Sequence, residues 1–209
     1  MSDLHRVTRR LAGRTVTASC APGQEPLAAD LLTVLERIGD HSGLSAGLRI
    51  RFGWSVLTLR EESDGALTVC EPDVGGDPLT EIRPRIDTTL AVLAEQTRVA
   101  RRVGITPVDV GIEQFVIVAH GALGSSALRL VRSAPDGEDS GWTLTADGLP
   151  LSENEDDYDA TRVYMFLQLR RIVLSVLILP PGFTVVIRGD EIGGIFDESG
   201  RDHLGDETL

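Results

Sequence analysis

The segment 136–148, DGEDSGWTLTADG, sets Asp136, Glu138, Asp139 and Ser140 ahead of Trp142, one of two tryptophans in the chain. Counted as a calcium loop, Asp136, Glu138, Ser140 and Gly141 fall at positions 1, 3, 5 and 6, and Asp147 at position 12. An EF-hand needs a bidentate glutamate at the last position and helices on both sides. Here the last position is aspartate and the flanks have strand composition, so the spacing argues against a calcium loop. A second run of carboxylates, SENEDDYD at 152–159, alternates Glu153, Glu155, Asp157 and Asp159. Glycosidase chemistry asks for two acids across a cleft, one of them held in an apolar pocket. A dense acidic run reads instead as a solvated loop.

The remaining reactive side chains form no recognisable constellation. His5, His41, His120 and His203 lie in four separate regions and lack the tight local spacing of zinc ligands. GALGSSALRL is not a G-x-S-x-G elbow, although a Ser-His-Asp triad stays open because its members need not be close in sequence. The glycines of GLSAGLRIRFG and GDEIGGIFDESG have no strand–G-x-G-x-x-G–helix context, so a dinucleotide fold is unsupported. All 20 basic residues are arginine. Without lysine there is no phosphate-loop lysine, no Schiff base and no Ser-Lys nucleophile. The expectation is a protein that is not an enzyme and uses no cofactor or metal.

Charge is more informative. Residues 1–135 carry 16 acids and 15 arginines (net −1), and residues 136–209 carry 16 acids and 5 arginines (net −11), which together give the −12 of the whole chain. Such a field repels nucleic acid and favours a cationic partner, or serves solubility alone. Cys20 and Cys70 lie far apart with no C-x-x-C spacing, which predicts buried, reduced thiols. The start, MSDLHRVTRRLAGRT, has no apolar signal region, and the most apolar stretch, VYMFLQLRRIVLSVLIL, has Arg170 and Arg171 at its middle. Mid-span arginines are costly in hydrocarbon, so no membrane span and a cytoplasmic location are expected.

These residues need elements to position them. RTVTASC (14–20) has strand composition, and EPLAADLLTVLERIGD (25–40) puts Leu27, Leu31, Leu32, Leu35 and Ile38 on one helical face. Residues 48–60 and 66–71 read as a hairpin around an SDG turn. A second helix is predicted over 87–104, with Asp87 as N-cap, Gly104 as stop and arginines in its last turn. Strands follow near 115–122, 127–132, 141–147 and 183–188, with a further one at 193–198. The acidic segment 148–160 reads as loop, and one long buried helix is predicted from Arg162 to Leu179, stopped by Pro180 and Pro181. Leu169 is expected at a filled core position of that helix. The fold class is α+β: two small units, each a mostly antiparallel sheet with one or two packed helices, divided as 1–110 and 111–209.

The order of motifs in the second unit is a strand pair ending in arginine (LRLVRSAP), then EDSGW, then ENEDDYD, a helix, and a Pro-Gly entry to the last strand (PPGFTVVIRGDE). In this order residues 112–199 resemble the bacterial immunity protein 33 family of polymorphic toxin systems. DSGW is the most specific element, and VIVAHGAL departs from the family's usual opening. The resemblance implies binding and neutralising a cognate toxin and assigns no catalytic residue. Opposite fields speed such association, and aromatic residues supply affinity. The partner-facing set is therefore Glu138, Asp139, Trp142, Glu155, Asp156, Asp157, Tyr158 and Asp159, with the toxin expected to be basic. Trp142 has a second reading, as a packing anchor in the core. The competing reading is a regulatory protein or hydrolase holding a small anion between the units with Arg83, Arg85 and Arg132.

Overall fold

A computed structural model describes residues 3–205. The fold is α+β, with two mixed sheets. Met1–Leu93 and Ala94–Leu209 form two compact units, with the division falling inside a helix.

The first unit holds strands β1 (His5–Leu11), β2 (Arg14–Cys20), β3 (Arg49–Phe52), β4 (Ser55–Glu61), β5 (Leu67–Pro72) and β6 (Ile82–Arg83), with helix α1 (Glu25–Ser42) and the start of α2 (Asp87–Val103). Its sheet runs β1-β2-β5-β4-β3, with β6 added to β5; β2 and β5 are parallel and the other pairs antiparallel. The apolar stripe predicted for α1 is the one it buries: Leu31, Leu32 and Leu35 join Val16, Ala18, Leu57, Leu59, Leu67 and Val69 in a single core. Alternation along each strand leaves the other side chains on the opposite face, where the register lines up Arg6 with Ser19, Arg60 with Thr68 and Arg49 with Thr58. Strand β1 is not predicted by the sequence: three of its seven residues are arginine and only Leu11 is fully buried, so local composition shows little strand signal. Cys20 and Cys70 are free and buried, as expected, and burial raises both thiols.

Helix α2 starts at Asp87, but Asp87 is not its cap; its carboxylate pairs with Arg85. The capping acceptor comes from β5. The buried Glu71 carboxylate accepts from the Thr89 N–H at 2.7 Å and the Thr88 N–H at 3.4 Å. Arg83, directly opposite on β6, donates to the same group at 3.0 and 2.7 Å. A charge from another strand thus satisfies the orphan amides of a helix start, which local spacing cannot reveal.

The second unit holds β7 (Phe115–Ala119), β8 (Ala127–Arg132), β9 (Asp139–Ala146), β10 (Tyr158–Arg162), the short helices α3 (Phe166–Leu169) and α4 (Ile172–Val176), and β11 (Thr184–Arg188) and β12 (Glu191–Phe196). The sheet order is β10-β7-β9-β8-β11-β12, with β7 and β9 parallel and the other pairs antiparallel. Two sequence expectations are corrected here. Part of the acidic segment read as loop is the edge strand β10. The single long helix is instead a 3₁₀ turn at Val163–Met165, then α3, a break at Arg170 (φ −160°, ψ 81°), and α4. No glycine or proline marks the break, and arginine is a good helix former, so periodicity runs straight through it. Tertiary partners surround it: Arg170 donates to the Gly189 carbonyl at 2.8 Å and Arg171 pairs with Glu95 at 3.1 Å.

The break also moves Leu169 out of the core. It is 42% exposed, whereas Phe166 and Val173 are fully buried. Leu169→Ala is therefore expected to change stability by less than about 1 kcal/mol, against about 3–5 kcal/mol for Phe166→Ala. Urea denaturation of both variants checks this, and equal losses would restore the continuous buried helix. No helix among the described residues is long and apolar enough to cross a membrane.

Candidate functional site

The DSGW segment is built around a turn that only glycine permits. Asp136 and Asp139 bridge across the turn, and the Asp139 carboxylate accepts from the Gly141 N–H at 2.8 Å. Gly141 has φ +79°, and a Cβ there would lie 2.3 Å from the Ser133 carbonyl oxygen. Left-handed backbone and close approach together demand glycine. They also deliver the next side chain, Trp142, into the core.

Trp142 is fully buried, and this settles its place: it is not an exposed contact. Its indole N–H donates to the Leu177 carbonyl at 3.0 Å. Arg132, its cross-strand partner on β8, is 2% exposed, and its guanidinium carbon stands 5.6 Å from the Trp142 ring centre. Arg132 donates to the carbonyls of Val108 and Leu177 at 3.1 and 3.0 Å, and to that of Leu179. A buried cation met by carbonyl dipoles is costly, and desolvation pulls Arg132 down to about 10. The Gly-Trp pair of the first unit behaves alike: Trp54 is 2% exposed and donates to the Thr89 carbonyl at 3.2 Å. The arginines suggested for an anion pocket are all engaged internally: Arg83 with Glu71, Arg85 with Asp87, and Arg132 with backbone carbonyls.

The predicted acidic residues divide between the two ends of β7. At its start, Glu138 pairs with Arg162 at 3.5 Å, and Arg162 lies over the Phe115 ring with its guanidinium carbon 3.8 Å from the ring centre. Asp139 is only partly exposed and its carboxylate is used by the turn. At the far end, β10 begins with Tyr158 opposite Ala119, and Asp157 and Asp159 on either side meet His120. The His120 Nε2 lies 3.4 Å from Asp159, and the His120 N–H donates to the Asp157 carbonyl at 2.9 Å.

The loop before β10 is internally braced. Ser152 donates from its backbone N–H to the Tyr158 hydroxyl oxygen at 2.7 Å, and that hydroxyl donates to the Ser152 carbonyl at 3.2 Å. The Ser152 hydroxyl and the Asn154 amide both donate to Asp157, at 2.5 and 3.4 Å, while Asn154 caps the 3₁₀ turn Glu155–Asp157. Asp157 thus organises the loop while staying exposed, as are Glu153, Glu155, Asp156 and Asp159. Sequence reasoning missed Leu149 and Leu151, which are 62% and 54% exposed on the same loop. Their signal was present: GLPL is an apolar run inside a polar segment, with neither helical nor strand period. Among the described residues no group of three or more His, Cys, Asp or Glu side chains is placed to hold a metal ion.

Residues 95–198 match the family model of the Imm33-like domain, just under half of the chain. The match begins one residue after the start of the second compact unit, so the segment that carries DSGW, the Arg132–Trp142 pair and the braced acidic loop is the part of the chain similar to an Imm33-like domain. No curated protein and no solved structure matches the chain.

Proposed function

We propose that this protein is an immunity protein: it binds a cognate toxin through the acidic loop 147–159 and neutralises it, with no catalysis of its own. The partner surface is basic, as a nuclease cleft would be, and the complex forms in the cytoplasm. The observation that carries this reading is the placement of Glu153, Glu155, Asp156 and Asp159, exposed on a loop whose backbone is held by Tyr158, Ser152 and Asp157. A braced loop presents charge without losing much conformational freedom on binding. The match to an Imm33-like domain supports the class of partner.

The test replaces Glu153 and Glu155 with Gln and Asp156 and Asp159 with Asn, keeping Asp157 because it holds the loop together. Against the purified product of the adjacent toxin gene, association is expected to slow about tenfold at low salt, with little change in dissociation. The difference should shrink at high salt, where a screened field no longer steers. Folding should be unchanged, and protection of cells should weaken in parallel. Wild-type association at low salt would overturn the reading and direct attention to the Arg6, Arg49 and Arg60 face of the first unit.

A further inference from the structure

We propose that a groove beside the acidic loop, lined by Ala122, Ala146, Leu149, Pro150 and Tyr158, receives an arginine side chain projecting from the partner protein. The inference rests on the toxin-binding reading and names the point of that surface which holds the partner after encounter.

The groove has a volume of about 380 Å³, with His120 and Asp157 also on its boundary. That is near the lower end of ligand pockets, about 300–1,000 Å³, a size for one long side chain and not for a large cofactor. Its chemistry is divided. Ala122, Ala146, Leu149 and Pro150 offer apolar surface, and Leu149 is 62% exposed and so open to a partner. The boundary is anionic: Asp157 belongs to the groove and Asp159 lies 3.4 Å from His120.

An occupant must therefore have an apolar stem and a cationic head. Arginine meets both needs, since its methylenes cover apolar surface while the guanidinium stays at a polar edge. Two features favour arginine over lysine. The planar guanidinium can take a carboxylate through two parallel N–H donors and can stack on the Tyr158 ring. The Asp157 carboxylate is already oriented by Ser152 and Asn154, and it keeps acceptor capacity beyond those two bonds.

Ring closure also explains why the groove is formed before any partner arrives. Tyr158 sits at the first position of β10 and clasps Ser152 through both its donor and its acceptor, so the loop carrying Leu149 and Pro150 returns to the sheet at a fixed place. The side chain that closes the loop is thus also a wall of the groove.

The experiment titrates the full-length, isotope-labelled protein with N-acetyl-arginine amide, its neutral isostere N-acetyl-citrulline amide, and N-acetyl-lysine amide, followed by NMR. Arginine amide should shift the Leu149 methyl, Tyr158 ring and His120 signals, and citrulline amide should bind at least about tenfold more weakly. Leu149→Ser should weaken arginine amide about fivefold without moving the denaturation midpoint, because Leu149 is already exposed. The same variant should speed dissociation of the adjacent-gene toxin and leave its association rate alone. Equal binding of citrulline and arginine, or shifts confined to the loop acids with no effect of Leu149→Ser, would overturn the proposal. A toxin that binds normally but leaves Leu149→Ser unaffected sinks the groove and spares the immunity reading. Arginine-specific binding in the groove by a protein that ignores the toxin does the reverse.

Discussion

Trp142→Ala is expected to lower the free energy of unfolding by about 3–5 kcal/mol, the range for deleting a large aromatic side chain from a filled core. Three losses add up. Trp142 is fully buried, so its removal leaves a cavity between β9 and the α4 region. The Leu177 carbonyl loses a donor at 3.0 Å, and the buried Arg132 loses the ring beside it. Trp142→Phe separates these effects, keeping most of the apolar body while removing the N–H. It should cost about 1–2 kcal/mol, as expected for one lost hydrogen bond plus a small void, since the Leu177 carbonyl still accepts from Arg132. Urea denaturation followed by far-ultraviolet circular dichroism reads both variants. If Trp142→Ala unfolds at the parent's midpoint, the indole is not a core anchor and the toxin interface becomes its place.

The second large effect is expected at Glu71. Glu71→Ala should cost about 3–5 kcal/mol, because breaking a buried pair strands its partner without a counter-charge. Here the stranded groups are the Arg83 guanidinium, which is itself partly exposed, and the Thr88 and Thr89 amides at the start of α2. Glu71→Gln keeps an acceptor for Thr89 and should lose less.

The pair also predicts a pH dependence. Burial pushes the Glu71 carboxyl above the ordinary glutamate value, with the Thr89 amide and Arg83 pulling the other way. Between the ordinary value and the raised native one, the folded state holds more protons than the unfolded chain. The contribution of Glu71 to stability is then greatest below the ordinary value and declines as pH rises through that window. The stability of the wild type relative to Glu71→Gln should fall over the same range. A rise would show that Arg83 and the helix amides outweigh desolvation.

Local pattern was enough for several elements. The α1 stripe, the β4–β5 pairing around the SDG turn, the Gly104 stop and the strands at 115–119, 127–132 and 184–188 follow from side-chain period and turn residues, which act over a few neighbours. The single strand expected over 48–60 is instead two, β3 and β4, paired antiparallel about Gly53 and Trp54, where Gly53 takes a φ of +59°. The lopsided charge and the DSGW signature were equally legible, and the latter led to the immunity-type segment that the family model covers.

Tertiary structure alone decided the rest, and each case has a reason that sequence spacing does not carry. Whether Trp142 faces core or partner depends on Gly141 packing against the Ser133 carbonyl, a contact made by the neighbouring strand. The break at Arg170 sits in an apolar run with no glycine or proline, where Gly189 and Glu95, distant in sequence, meet the two arginines. The cap of α2 comes from Glu71, sixteen residues earlier than the Asp87 that opens the helix, because β5 brings it there. The acidic residues of the two runs serve different ends: Asp157 braces the loop, Glu138 pairs with Arg162, and Glu153, Glu155 and Asp156 remain open to solvent. Composition determines how much charge a chain carries. Which charges stay available to a partner depends on pairing that the fold sets, since Glu138 meets an arginine from β10, Asp157 is held by its own loop, and Glu153, Glu155 and Asp156 face water.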